Sequence, residues 1–490
     1  MSHSNWLEAH ARFRPDSEAI FDADTGRRWT YAALHNDSLR WASRLTNLGV
    51  ERGDRVAVLA HNRGESFAIL FACAELGAVL FPMNWRLAPD ELAWQLENAD
   101  PRILIVDEEH SDVLVADRIS MEDGPGDAVA TGPGAALDDP WQLMYTSGSS
   151  GRPKGALLTH RQVVFNAMNT LLACDLTADD STLTFTPLFH TGGMNCLSTP
   201  LLHRGGRVVL TRGVDAPEAL RLIGDEGITL LMGVPTIYQM LADDSSFAAS
   251  NLSSVRDALC GGAPLPVPLL ERYLARDIPL RQGFGMTEVG PNCFSTPPAR
   301  VREKLSSVGM PCASVEAKVV RGDGSPCDVD EPGELLLRGP VVCAGYFRNP
   351  EATAAAIDSD GWFRTGDLLC RDADGFFSVR GRIKEMYISG GENVYPAEIE
   401  AALHACPGVA HAAVIGVPDS RWGEIGYAFL EARPGEGIGP DRVRSFLDGR
   451  LARYKLPKRI EILAELPRTA SGKIDKVALK SLSIHADMAP

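Results

Sequence analysis

The segment Thr146-Ser147-Gly148-Ser149-Ser150-Gly151-Arg152-Pro153-Lys154-Gly155 concentrates hydroxyls, glycines and one lysine in a single stretch of an otherwise mixed chain. Glycines allow backbone N–H groups to approach closely and to take positive φ, hydroxyls add donors, and Lys154 adds a compact positive charge. Such a loop wraps anionic oxygens. The apolar run Trp141 to Tyr145 before it reads as a strand, and Val163, Val164, Ala167, Met168, Leu171 and Leu172 after it follow helical spacing. The order is therefore strand, loop, short strand, helix. A flexible Gly/Ser linker has the same composition, but a spacer rarely sits between two apolar strands. A Walker loop is excluded, because the Gly148 to Lys154 spacing is wrong and Gly155, not Ser or Thr, follows the lysine.

Working outward, strand-like runs alternate with helical patterns from Asp54 onward. They are Arg55 to Leu59, Ile103 to Val106, Arg207 to Leu210, Ile228 to Met232 and Val255 to Cys260. That alternation predicts an α/β fold of parallel sheets covered by helices. A helix is expected from Ala216, with Asp215 as N-cap, Pro217 near its start, Glu218 at capping-box distance, and Gly224 and Gly227 toward its end. Two strands run into glycine clusters, Cys260-Gly261-Gly262-Ala263-Pro264 and Gln282-Gly283-Phe284-Gly285. Each could be only a tight turn. In open α/β sheets, however, ligands collect beyond the carboxyl ends of strands, so together with the phosphate loop they suggest one shared pocket.

At 490 residues and 45% hydrophobic content the chain can bury a large core and should form more than one domain. The stretch Ser120 to Asp139 reads as an exposed connection. A boundary is expected at Lys384, giving an N-terminal domain over 1–383 and a compact α+β unit over 384–490. That unit should carry a helix opening at Pro396, strands at Ala412 to Val417 and Tyr427 to Leu430, a helix near Arg442 to Leu451 and a strand Ile460 to Leu463. A formal charge of −16 argues against nucleic acid, whose phosphates attract basic surfaces, and points to small-molecule partners. The ten cysteines show no CxxC pair and read as reduced core residues, which suggests a cytoplasmic protein. MSHSNWLEAH lacks a signal pattern, and the longest apolar stretch, Phe67 to Phe81, is broken by Glu75 and Gly77, so no membrane span is expected.

Taken together, TSGSSGRPKG, PLFH ending at His190, CGGAP, QGFGMTE ending at Glu288, GWFRTGD ending at Asp367, GRIKEMYISGGENVYPAEIE and PRTASGK ending at Lys473 resemble the adenylate-forming superfamily. That superfamily comprises acyl-CoA synthetases, luciferases and peptide-synthetase adenylation domains. The resemblance covers nearly the whole chain, with the motifs in the family's order. It implies a large N-terminal domain of parallel sheets with a smaller β subdomain, and a small mobile C-terminal lid. It also implies ATP, Mg²⁺ and coenzyme A, and two half-reactions. A carboxylate attacks the α-phosphate of ATP to give an acyl-adenylate and pyrophosphate, and a thiol then displaces AMP. A carboxylate is already ionised at pH 7 and needs no base, so catalysis rests on positioning and charge neutralisation.

On this resemblance Thr146, Ser147, Gly148, Ser149, Ser150, Gly151 and Lys154 cradle the phosphates. Thr287 touches the α-phosphate, and Glu288 is the Mg²⁺ ligand, as a hard cation requires. Gly261, Gly262, Ala263 and Pro264 line the adenine slot with Gln282, Gly283, Gly285 and Met286, and Phe284 stacks on the base where the family more often has Tyr. Asp367 binds the ribose hydroxyls, beside Arg382. Lys473 bridges carboxylate and α-phosphate, and Lys384 is the hinge. In a second pose Ser389, Gly390 and Gly391 admit a pantetheine arm, while Trp422 and Tyr454 meet the nucleotide end of CoA. For Trp422, packing is an equal alternative. His190 gates the acyl pocket.

Thr191, Gly192, Gly193 and Met194, with Tyr238, Gly262, Gly285, Val289 and Gly290, would line that pocket. They carry no Lys, Arg or Asp, which disfavours amino acids and diacids. Gly192 and Gly193 should open room beside His190. PLFHTGGMN and QGFGMTEVGP are similar to bacterial feruloyl-CoA and related acyl-CoA synthetases, so an aryl-propenoate of the ferulate type is expected, with a medium- or long-chain fatty acid as the alternative. An enzyme that loads a carrier protein and a non-catalytic nucleotide-binding protein are the remaining readings, and a homodimer is left open. No carrier domain is present, and both Lys473 and Glu288 are, which favours a CoA ligase.

Overall fold

The computed structural model describes residues 6–112, 118–129, 132, 134–146, 153–389, 392–433, 435–469 and 473–488. Two parallel-rich sheets dominate it. One runs Leu280–Gln282, Asp257–Cys260, Leu230–Gly233, Ser181–Thr184, Arg207–Leu210, Glu18–Asp22, Arg27–Thr30, with only the last pairing antiparallel. The other runs Arg118–Ser120, Ile103–Val106, Arg55–Leu59, Val79–Pro82, Pro140–Thr146, Lys154–Thr159, again with an antiparallel last pair. The strands expected from apolar runs all form.

Helix Glu65–Leu76 is predominantly apolar and every residue in it is buried, Glu65 and Glu75 included, the pattern of a helix enclosed on all sides. One hydrophobic cluster joins it to Ile20, Trp29 and Val208 of the seven-stranded sheet and to Val56 and Leu80 of the six-stranded one. Gly77, at φ 68°, stops it. Helix Ala216–Asp225 is capped by Asp215, whose Oδ1 accepts from Glu218 N at 2.9 Å, as its sequence predicts.

A three-stranded antiparallel sheet (Phe284–Met286, Gly290–Ser295, Met310–Pro311) and a four-stranded one (Glu316–Val320, Gly333–Arg338, Phe363–Arg371, Phe377–Arg382) follow. The C-terminal part is a separate five-stranded sheet, Glu392–Val394, Tyr387–Ser389, Gly423–Ala432 and Val409–Asp419, with Arg459–Leu463 also on Gly423–Ala432. It carries helix Pro396–His404, as expected, and helix Pro440–Leu447.

Several details differ from the sequence reading. The helix expected to reach Leu451 ends at Leu447, because Asp448 turns extended and Gly449 takes φ 74°. The hairpin of Tyr387–Ser389 and Glu392–Val394 and the final helix Lys476–Met488 were not foreseen; both lie beside turn-rich stretches that mask their periodicity. The start of the exposed connection contributes a short edge strand, Arg118–Ser120, and buries Met121. All ten cysteines are free and nine are buried. No helix among the described residues is long and apolar enough to cross a membrane.

Candidate active site

Strands Pro140–Thr146 and Lys154–Thr159 pair antiparallel, so Thr146 and Lys154 face each other at the ends of the glycine- and hydroxyl-rich segment. Ser147, Gly148, Ser149, Ser150 and Gly151 lie outside the described residues. Lys154 Nζ sits 5.1 Å from the ring centroid of Tyr346. Beside it, Trp94, Asn98, Lys154, Gly155, Phe347 and Arg348 enclose a cavity of about 180 Å³.

Thr287 and Glu288 stand where the three-stranded sheet turns, both buried. Glu288 Oε1 accepts from Tyr346 Oη at 3.0 Å and from Thr146 Oγ1 at 3.2 Å, which joins three distant stretches of chain at one carboxylate. Gln162 Nε2 donates to Thr287 O at 3.0 Å and fixes the turn from behind. Strand Leu280–Gln282, which leads into this segment, is anchored by Arg281. Its guanidinium is 1% exposed, pairs with the equally buried Asp257 and donates to Thr296 O at 2.8 Å. Removing one partner of so buried a pair would strand a charge.

Gly283 N donates to Cys260 O and Gln282 Oε1 accepts from Leu265 N at 3.1 Å, so the two glycine clusters are stitched into one rim. No other residue comes within 4 Å of a Cβ built at Gly261, and half-buried Phe284 lies edge-on to Phe294, with ring centroids 5.7 Å apart. A Cβ at Gly285 would run into the backbone of Pro291, so this glycine serves close chain approach.

Asp367 and Arg382 are cross-strand partners, with Arg382 Nε 3.0 Å from Asp367 Oδ1. Burial raises the Asp367 carboxyl, while the Arg382 guanidinium and the Lys473 charge pull against that. Lys473 lies near enough for its charge to act on Asp367. Its amine is held below the usual lysine range by the surrounding protein and by Arg382, and upheld by Asp367 and Glu288. Water still reaches the side chain, so it stands in a deep but open cleft. Its turn is rigid at the base: Thr469 N donates to Lys473 O at 2.7 Å, and Lys476 Nζ pairs with Glu385 and Glu400, each at 2.8 Å.

His190 lines the same cleft. Its side chain reaches solvent at the rim, and the neighbouring protein and the Lys473 charge both lower its imidazole pKa from the usual value. Its Nδ1 accepts from Gly192 N at 3.3 Å. The segment before it is clamped by buried Asn62, which donates to Thr186 O and Thr211 O and accepts from Leu188 N at 2.9 Å.

Comparison of the whole chain with known proteins gives its family. Residues 7–347 match the AMP-binding enzyme family and residues 398–473 the AMP-binding enzyme C-terminal domain. The chain belongs to the AMP-binding enzyme family. It is 42% identical to a feruloyl-CoA synthase of Amycolatopsis sp, covering 96% of this chain and 97% of that one. It is 39% identical to the indoleacetate–CoA ligase of Aromatoleum aromaticum, covering 98% of each. The o-succinylbenzoate CoA synthetase of Bacillus subtilis, solved with its acyl-adenylate intermediate, superposes with a TM-score of 0.90 at 33% identity, over 97% of this chain and 98% of that one. The same synthetase, solved with ATP and magnesium ion, gives 0.89. The protein is an AMP-forming acyl-CoA synthetase, a ligase of acyl or aryl acids.

Within this synthetase, three expectations about the acyl side need correction. Tyr238 is fully buried, its hydroxyl donating to Leu259 O at 2.8 Å and its ring edge-on to Tyr273, so it belongs to the core rather than to a pocket wall. Gly193 does not open space, since a Cβ there would strike the backbone oxygens of Thr186 and Pro187; its role is close packing. Val289 is likewise 0% exposed within the core of the β subdomain. A Cβ at Gly192, by contrast, would make only ordinary contact among the described residues, with Met232 Cε at 3.4 Å and His190 Nδ1 at 3.6 Å. Thr191 and Met194 are buried beneath His190, and Gly290 abuts Asn166. Gly262, with φ 77°, meets only Val234, at 3.5 Å.

On the C-terminal part, Ser389 is buried at the edge pairing with Gly423, and Gly390 and Gly391 lie outside the described residues. Trp422 is 41% exposed beneath Arg421 and Lys458, and Tyr454 is 39% exposed beside Lys455. Neither is a packing residue. Lys384 is exposed just after the last strand of the four-stranded sheet. Tyr346, Arg281, Asn62, Gln162 and Lys476 were missed by sequence reasoning. Only Tyr346 carried any signal, as the sole tyrosine of the apolar-glycine stretch Val341 to Phe347.

Proposed function

We propose that this ligase activates an apolar aryl acid of the ferulate type with ATP and transfers the acyl group to coenzyme A. The observation that carries the reading is the convergence of Glu288, Asp367, Arg382 and Lys473 on one cleft, from positions far apart in sequence. In the first half-reaction a carboxylate oxygen of the acid bonds to the α-phosphorus while the bond to the β-phosphate breaks, releasing pyrophosphate. Lys473 holds the two anionic reactants together, and Thr287 and the loop from Thr146 to Lys154 supply donors. Asp367 holds the ribose hydroxyls, and the rim of Gly261 to Pro264 and Gln282 to Met286 takes the adenine against Phe284.

Glu288 and Thr146 present hard oxygen donors in a buried setting, a set that fits Mg²⁺. Bound there, Mg²⁺ would neutralise phosphate charge. Tyr346 keeps the Glu288 carboxylate in place for it.

The C-terminal unit from Lys384 to the end acts as a lid hinged at Lys384, and the described pose, with Lys473 in the cleft, is the one for adenylation. In the second half-reaction the lid withdraws Lys473, the thiol sulfur of CoA bonds to the acyl carbon, and AMP leaves. Exposed Trp422 and Tyr454, each flanked by cations, favour CoA over a carrier protein, since an aromatic face beside positive charge suits an adenine with phosphates. A neutral His190 can move across the acyl channel without desolvating a charge. The small Gly192 beside His190 and the lack of Lys, Arg or Asp in Thr191 to Met194 favour a flat, uncharged aryl-propenoate tail.

Pyrophosphate release with ferulate, indoleacetate, o-succinylbenzoate and medium- and long-chain fatty acids, with and without CoA, tests the proposal. Ferulate or a close aryl-propenoate is expected to give the highest kcat/KM, with thioester formed only when CoA is supplied. A fatty acid leading the panel overturns the substrate, and turnover indifferent to CoA overturns the thiol.

A further inference from the structure

His61, Asp107 and His110 form a cluster with no part in the adenylation chemistry. His61 follows strand Arg55–Leu59, and Asp107 follows the parallel neighbour Ile103–Val106, so both sit beyond the carboxyl ends of adjacent strands, where open sheets bind ligands. Asp107 then caps the short turn Glu108–His110, which swings His110 back over the strand ends. His110 Nδ1 lies 2.5 Å from Asp107 Oδ1, and His61 Nδ1 lies 3.3 Å from Asp107 Oδ2 and 3.5 Å from Glu109 Oε2. One donor atom from each of His61, Asp107 and His110 falls within 4.8 Å of the others. The two imidazoles are 15% exposed and the Asp107 carboxylate 5%, so the cluster is recessed but reachable.

We propose that His61, Asp107 and His110, with Glu109 closing the outer side, bind a divalent first-row transition metal ion, with Zn²⁺ as the reference case. Two nitrogens and carboxylate oxygens around one point are a borderline-soft donor set, which selects Zn²⁺ or Co²⁺ over Mg²⁺ and its preference for oxygen and water. Nδ1 of each ring faces Asp107, so binding an ion moves both ring protons to Nε2 and opens the short His110–Asp107 contact to the wider spacing of two ligands on one metal. Arg212 holds the other Glu109 oxygen at 2.6 Å and orients the carboxylate. Trp85 packs on His61, with ring centroids 4.4 Å apart, and walls off one side. The site reaches the acyl channel through the backbone: the residue after His61 is Asn62, which clamps the segment ending at His190. A metal here would therefore brace the strand end from which that segment hangs.

Untagged full-length protein, stripped with a chelator and returned to chelator-free buffer, is titrated with Zn²⁺ against a colorimetric indicator. Its metal content is then measured by atomic emission after desalting. One zinc per chain is expected, unaffected by excess Mg²⁺. His61→Ala and His110→Ala should each weaken binding by about a hundredfold. Glu109→Gln, on the exposed lip, should weaken it less and leave the melting temperature unchanged, so it carries the comparison if an alanine variant folds poorly. A wild-type protein that retains no zinc overturns the proposal, as do variants that bind zinc as tightly as wild type. The readout is independent of ligase activity.

Discussion

The hydroxyl of Tyr346 and the carboxylate of Glu288 are 3.0 Å apart, and the same Glu288 oxygen also takes the hydroxyl of Thr146 at 3.2 Å. A buried carboxylate with two fixed donors on one oxygen is pre-oriented, and its orientation needs no reorganisation when the phosphates arrive. A donor to a charged acceptor contributes about 1.5–3 kcal/mol. Tyr346→Phe is therefore expected to lower kcat/KM for ATP roughly ten- to hundredfold. Melting temperature should stay close to wild type. Steady-state pyrophosphate release checks this, and an unchanged rate would show that Thr146 alone positions Glu288.

Gly192 and Gly193 are neighbours with opposite demands. Gly193→Ala pushes a methyl group into the backbone of Thr186 and Pro187, and should cost about 1–3 kcal/mol of stability together with most activity. Gly192→Ala meets only Met232 and His190 at ordinary contact, so it should fold normally and raise KM for the acid without changing KM for ATP. Thermal melts and separate acid and ATP titrations distinguish the two.

His160, fully buried, stacks on Trp141 at 4.4 Å, and neither ring nitrogen has a hydrogen-bond partner among the described residues. Burial pushes it down to about 4 from an ordinary 6.5, with Asp139 opposing and Arg52 assisting. Because the unfolded chain takes up the proton first, the stability contributed by neutral His160 is complete above pH 6.5 and is lost as pH falls toward 4. His203 and His404 shift the same way. His160→Phe keeps the stack and removes the proton site, so its melting temperature should fall less than that of wild type between those pH values. Parallel curves would reject this account of acid sensitivity.

The positions of several parallel strands were legible, because those strands are continuous apolar runs, but their order in the sheets was not; helix Ala216–Asp225 announced itself through its Asp215 cap. Motifs in the sequence singled out Glu288, Asp367, Arg382 and Lys473, and these lie near enough to one another for the charges of the first three to act on the Lys473 amine. What stayed hidden depends on contacts between distant segments. Whether Tyr238 faces a pocket or Tyr273, and whether a glycine opens space or admits a neighbouring backbone, is decided by which strand lies opposite, and no local pattern encodes that. Along helix His160–Cys174 the apolar residues Met168 and Leu172 face outward while Gln162, Asn166, Asn169 and Thr170 are buried, because that inner face serves the site's hydrogen bonds. Periodicity alone assigns that helix but not its inner face.

The most direct test of the account separates the two half-reactions in Lys473→Ala. Adenylation, read as acid-dependent pyrophosphate release, is expected to fall by roughly two to three orders of magnitude, the scale for losing one preorganised charge. Thioester formation from supplied acyl-adenylate and CoA should remain close to wild type. Equal losses in both half-reactions would contradict a lysine that the lid delivers for adenylation alone.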